Sequence, residues 1–413
     1  MHPYLAVILV FIVGAWALET LAEYLNLRSL GPRPPEEFAD TFDPEAYASS
    51  QAYTRAKATV EIVSSTVNVV LLLAFILLGG FPWLDGLIRS LGLSELTNGL
   101  LFFLALGAAM EVVSLPFEIY RTFGMEERFG FNRTTPRTFL ADKCKEVGLS
   151  LVIGLPVLAG VLLFFGRFPL TGWLMAWGFI ILVMLVIQYV APIWILPLFN
   201  TFRPLPEGEV RDRILQLAEK TGFRVGGIYV MDGSKRSSKS NAFFTGLGKK
   251  KRIALFDTLL DRHDPEELQA VLAHEVGHSK LGHVLKNLVL GILKTGLLLF
   301  LVSVAIRHEP LFEAFGVDQA SVYLGLVFFA LLYTPVSLLL ALSMNAVSRR
   351  FEYQADHFAA QAAGGPGPLI RALKKLARDN LSNLSPHRLY VALHYSHPPL
   401  KERIESLKAQ GTS

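Results

Sequence analysis

His274-Glu275-Val276-Gly277-His278 places two imidazoles and a carboxylate within five residues, in the H-E-x-x-H spacing. On a helix, positions i and i+4 share a face. His274 and His278 can therefore bind one Zn²⁺ per chain, with Glu275 beside them to act on a water held there. A helix must carry all three. Asp264 suits the cap, Pro265 the first helical position, and Glu267 follows three residues after Asp264 as in a capping box. The pentapeptide alone also fits a solvated helix with two chance histidines, so the chemistry depends on what joins it.

A catalytic zinc commonly has three protein ligands and an open position. His283 is the nearest further histidine. It does not stand six residues after His278, where Val284 lies, and Leu281 replaces the glycine of that alternative spacing. On a continuing helix it would project about 180° from His274, at about 100° per residue, so it is assigned to structure. Glu352 is the better third ligand. In Arg349-Arg350-Phe351-Glu352-Tyr353-Gln354-Ala355-Asp356, Glu352 and Asp356 are spaced i, i+4. Glu352 can bind the metal while Asp356 accepts a hydrogen bond from the far nitrogen of a ligand histidine. The alternative is that both acids pair with Arg349 and Arg350 on a solvated helix.

The elements that position these groups lie largely in a membrane. Of 413 residues, 52% are hydrophobic and 18% charged, with a mean hydropathy of +0.42. Soluble domains average about 25% charged residues. The balance predicts a mainly α, polytopic membrane protein with the lipid bilayer as a partner. A net charge of +4 gives no reason to expect nucleic acid as another. The single cysteine, Cys144, excludes an intrachain disulfide and reads as an ordinary residue.

Seven apolar segments, approximately 4–25, 60–83, 98–119, 147–166, 172–197, 287–306 and 321–344, are long enough to span. The first lacks a basic leader region and reads as a retained helix. Arg89, Arg167 and Arg307 fall in loops on one side. Arg28, Arg33, Arg55, Lys57, Arg121, Arg128, Arg133, Arg137, Lys143 and Lys145 fall in loops on the other. The asymmetry predicts an external N-terminus and a cytosolic catalytic site. The Gln-Gly-Thr-Ser end carries no Lys-Asp-Glu-Leu-type signal. A bacterial inner membrane is expected ahead of the endoplasmic reticulum. Glu61, Glu111 and Lys294 lie within or near spans and should face protein or water. Glu61 and Lys294 are close enough to span ends to snorkel, whereas Glu111 best suits a polar interior.

The expected division is 1–199 for five spans and their loops, 200–285 for a polar segment with the H-E-x-x-H helix, 286–345 for two more spans, and 346–413 for a helical segment completing the metal site. Within the polar part, Gly227–Met231 and Arg252–Phe256 read as short strands, and Ser240–Thr245 as an exposed edge strand. Gly248–Arg252 reads as a solvated basic turn.

H-E-V-G-H followed by R-R-F-E-Y-Q-A-D resembles the type I CAAX prenyl endopeptidases, which are integral-membrane zinc metalloproteases. The resemblance extends to Glu127–Thr135 (E-R-F-G-F-N-R-T-T), Asn241–Gly246 (N-A-F-F-T-G) and Ser396–Pro399 (S-H-P-P) with Glu402-Arg403. It implies seven helices forming a barrel around an intramembrane chamber, with a cytosolic zinc metalloprotease domain containing a small β-sheet. It implies His274, His278 and Glu352 as zinc ligands and Glu275 as general base. Asn241 would hold the substrate backbone, His397 would bind the oxyanion, and Arg403 would support the site with Asp356. On residues alone, Asn241 also suits a cap and His397 a turn. The implied substrate is a peptide or protein with a prenylated Cys-a-a-X end, from which the last three residues are removed. The alternative is a broad-specificity quality-control metalloprotease. A transporter would suit the spans but leaves the H-E-x-x-H and Glu-x-x-x-Asp pair unexplained.

Overall fold

The computed structural model describes residues 1–245 and 252–410. Six helices are long and apolar enough to cross a bilayer: Pro3–Arg28, Pro44–Leu77, Glu95–Glu126, Pro136–Arg167, Gly172–Phe199 and His283–Ala305. The seventh crossing is a bent pair, Val322–Leu332 and Thr334–Ala362, meeting at 60°. The sequence predicts an unbroken span at 321–344. Pro335 lies in the first turn after the bend. It has no N–H to bond backwards, and its ring collides with the carbonyl four residues earlier.

The expected second span, 60–83, is also revised. Its helix begins at Pro44, capped by Asp43, and ends at Leu77. Gly79, at φ +71°, turns the chain into a short helix, Gly80–Arg89. An aromatic and aliphatic core including Ile8, Phe81, Phe102, Phe315 and Phe328 ties one end of the helices together. Charges within the spans are paired, as a low-dielectric setting demands. Glu61 meets Arg121 at 2.7 Å, and Glu111 meets Lys143 at 3.2 Å. Glu61 also lines a cavity of about 640 Å³, together with Glu19, Glu23, Lys57 and His394.

Four short strands form one sheet in the order β1-β2-β4-β3. These are β1 (Phe202–Pro204), β2 (Gly227–Met231), β3 (Ala242–Thr245) and β4 (Arg252–Phe256). β2 and β4 run parallel, and the outer pairings are antiparallel. β2 and β4 match the predicted strands, and β3 is an edge strand. β1 has three residues, too few to show any alternation in sequence. Apart from Arg252, the predicted basic turn lies outside the described residues. Ile253 and Leu255 of β4 are buried against Leu268 and Leu272 of the H-E-x-x-H helix, Pro265–Lys280.

That motif helix starts as its residues demand. The Asp264 carboxylate accepts the Glu266 and Glu267 N–H groups, and Glu267 accepts the Asp264 N–H. It stops before Gly282, whose φ of +70° begins the next helix at His283. An L-side chain would be strained there. The assumption of one helix running through His283 therefore fails.

Gly277 lets the motif helix approach the helix carrying Glu352. A Cβ on Gly277 would lie 3.2 Å from both Ala355 Cα and Phe358 Cβ. Gly277→Ala should push the helices apart and cost about 1–3 kcal/mol, as overpacking does. Thermal unfolding in detergent should show a lower midpoint. An unchanged midpoint would mean that this contact has slack.

Candidate metal centre

The motif helix presents His274 and His278 towards Glu352, which sits on Thr334–Ala362. His274 Nε2 and His278 Nε2 are 3.1 Å apart. His274 Nε2 is 3.4 Å from Glu352 Oε2, and His278 Nε2 is 3.2 Å from Glu352 Oε1. Ligand atoms about 2.0–2.2 Å from a tetrahedral metal lie roughly 3.3–3.6 Å from one another. The three side chains form a metal-ligand cluster. Two further observations fit a cation there. Glu352 Oε2 is buried without a hydrogen-bond partner. Two imidazole nitrogens also face each other at a distance where a shared ion would satisfy both.

The surrounding groups fix the ligand rings. His274 Nδ1 lies 2.8 Å from Asp356 Oδ1, although its N–H points off the oxygen, so this is an ion-pair contact more than a directed hydrogen bond. Asp356 is 0% exposed and accepts two hydrogen bonds from Arg403, at 2.8 Å from Nε and 2.6 Å from Nη2. Burial pulls the His274 pKa down, but Asp356 and Glu352 outweigh it and push the value up to about 9. In the metal-free site the ring holds a proton that a cation would displace.

His283 has a part that the sequence did not reveal. It stacks on Phe351 at 4.2 Å, and its Nε2 lies 2.9 Å from Gln354 Oε1. With that acceptor, Nε2 carries the proton. His283 Nδ1, 3.0 Å from His278 Nδ1, then accepts from it. His278 Nε2 is left with its lone pair facing the site. His283 is no ligand; it orients one. Gln354, two residues after Glu352, was the only available signal for this contact, and nothing in the spacing pointed to it.

A cavity of about 490 Å³ opens beside the cluster, with His274, Glu275, Asn241, Ala242, His397 and Arg403 in its wall. Burial pushes the Glu275 carboxyl up, against the pull of His274 and His278, so it is the more ready to take a proton. His397 Nε2 is 3.4 Å from Glu352 Oε1, and 61% of its side chain is exposed. Asn241 stands at the start of β3, and its Oδ1 accepts the Ala242 N–H at 2.8 Å. All eight residues singled out in the sequence thus lie in or around one site. The alternative pairing of the two acids with Arg349 and Arg350 is not seen. Arg349 instead donates to the Val391 and Tyr395 carbonyls.

Comparison with known proteins agrees with this arrangement. Residues 23–201 match the CAAX prenyl protease N-terminal family of five membrane helices, and residues 204–410 match peptidase family M48. The CAAX prenyl protease 1 homolog of Oryza sativa subsp. japonica is 35% identical, over 98% of this chain and 97% of its own. CAAX prenyl protease 1 of Saccharomyces cerevisiae is 34% identical over 98% and 95%. The Homo sapiens homolog is 35% identical over 91% and 88%. The crystal structure of S. mikatae Ste24p superposes with a TM-score of 0.93 at 34% identity, covering 98% of this chain and 99% of that one. These relatives are eukaryotic, so the expected preference for a bacterial inner membrane draws no support from them.

Asp356→Asn removes the charge that braces His274 while keeping the side chain's shape. Metal affinity, measured by competition with a chelator, should fall about 10–100-fold. Unchanged affinity would show that Arg403 and packing alone hold the ring.

Proposed function

This chain belongs to peptidase family M48 and is a multi-pass membrane metalloprotease, and from that premise we propose that it is a zinc endopeptidase. Its substrates would be proteins or peptides with a C-terminal prenylated Cys-a-a-X segment, shortened by three residues. The observation that carries this reading is the His274, His278 and Glu352 cluster opening beside Glu275 onto a cavity walled by an edge strand. A prenyl chain keeps such a substrate at the bilayer.

Zinc, held by His274, His278 and Glu352, would acidify a water and polarise the scissile carbonyl. Glu275 takes the proton of the attacking water and passes it to the leaving amine. His397, at the cavity rim, donates to the oxygen as negative charge develops. The open edge of β3 at Asn241 and Ala242 holds the peptide as an added strand. Asp356 and Arg403 keep His274 in place.

The proposed division follows the same lines. Residues 1–199 and 286–345 form the membrane part, and 200–285 with 346–413 the catalytic part. We assign the N-terminus to the outside and the site to the cytosol. In support, the basic 127–135 loop meets the catalytic part directly, through an Asn132–Ser237 bridge and the Arg133 N–H donating to the Arg236 carbonyl.

Glu275→Gln should retain bound zinc and lose turnover by about 10²–10⁴-fold. Residual activity near wild type in a clean preparation would refute the assigned base. Purified protein should cleave a farnesylated Cys-a-a-X peptide in preference to its unlipidated twin or an unfolded protein. Equal cleavage of all three would support broad quality-control proteolysis instead.

A further inference from the structure

The substrate-pairing edge of β3 has a built end. The Asn241 carbonyl accepts the Phe256 N–H at 3.1 Å, so Asn241 turns its backbone groups towards β4. In an antiparallel pair this orientation alternates. With Ala242 opposite Leu255 and Phe244 opposite Ile253, the residues that face the free edge are Ser240, Ala242 and Phe244. Ser240 is already taken. Its N–H donates to Asn380 Oδ1 at 3.2 Å, and its carbonyl accepts from Asn380 Nδ2 at 3.3 Å. One side-chain amide occupies both positions that a neighbouring strand would use.

We propose that Asn380 is a specificity-determining residue: it closes the edge at Ser240 and so limits how many substrate residues can follow the cleaved bond. The proposal rests on the reading of this chain as a C-terminal peptidase. Antiparallel addition is the more stable pairing, and it directs the peptide's C-terminus from Thr245 towards Ser240. A peptide paired at Ala242 then meets Asn380 about two residues later, roughly 7 Å along.

The stop is braced on both sides. Ser240 Oγ donates to the Thr258 carbonyl, and Thr258 Oγ1 donates to the Lys239 carbonyl. Lys239 Nζ is held by Glu126 at 2.8 Å and Tyr53 at 2.6 Å. Lys239 and Asn380 line both the 490 Å³ and the 640 Å³ cavities, so they form the partition between them. Asn380 itself ends the helix Gly367–Asp379, and Leu381 follows at φ +49°, a left-handed turn that a leucine adopts only at a cost. The Ser382 N–H closes that turn on the Ala377 carbonyl. The chain accepts backbone strain where it presents Asn380 to Ser240.

The test compares two farnesylated peptides, one ending in Cys-a-a-X and one carrying two further residues after X, with the full-length zinc-loaded protein. Wild type should favour the shorter by about tenfold or more in kcat/KM, and Asn380→Ala should bring the ratio within about threefold. A merely structural loss would slow both peptides alike and leave the ratio unmoved. Asn380→Ser is measured in the same way if the alanine variant does not fold. An unchanged ratio in an active variant overturns the proposal, as does a wild type indifferent to length. Failure of wild type to cut either farnesylated peptide refutes the C-terminal peptidase reading, and this inference with it.

Discussion

Two carboxylates buried on one helix face set the terms for this protein. Glu352 and Asp356 lie one turn apart, and both are removed from water. An isolated buried charge costs several kcal/mol even after the protein relaxes, so each acid needs a cationic partner fixed in place. Asp356 has Arg403 and the His274 ring. Glu352 has two histidine nitrogens and an oxygen left without a hydrogen bond. The site is thus organised around a positive charge that the side chains by themselves supply only by protonating His274.

That requirement explains the surrounding architecture. The motif helix must come close enough for its imidazoles to reach Glu352, and Gly277 permits this. The motif helix must also end at once, so that His283 can swing back under His278 and Gln354. Gly282 permits that. The helix bearing Glu352 and Asp356 rises directly from the bend at Pro335 within the membrane part. The same continuous rod therefore forms part of the membrane wall and carries a metal ligand, which joins catalysis to the bilayer without a linker.

The substrate side is organised by hydrogen bonding in place of charge. β3 is an edge strand with unmet backbone groups, a surface proteins normally cover. Here the cover is partial. Asn241 caps the Ala242 N–H with its own side chain, which can swing away, while Asn380 holds Ser240 from a separate helix. A surface left open over a short stretch and shut at one end suits a peptidase that must admit a chain but hold its register.

The sequence by itself determined the parts that depend on local spacing. The i, i+4 pairs His274/His278 and Glu352/Asp356, the capping box at Asp264, the apolar runs and strands β2 and β4 are all set by helix and strand periodicity and by hydropathy. Tertiary structure alone decided what brings distant segments together. It placed Glu352 within 3.4 Å of both histidines, joined Arg403 to Asp356, and recruited His283 once Gly282 broke the helix. It bent the seventh crossing, paired β1, and set Asn380 against Ser240 across 140 residues. None of these leaves a periodic trace, because each arises from packing and from the need to satisfy buried polar groups between elements far apart in the chain.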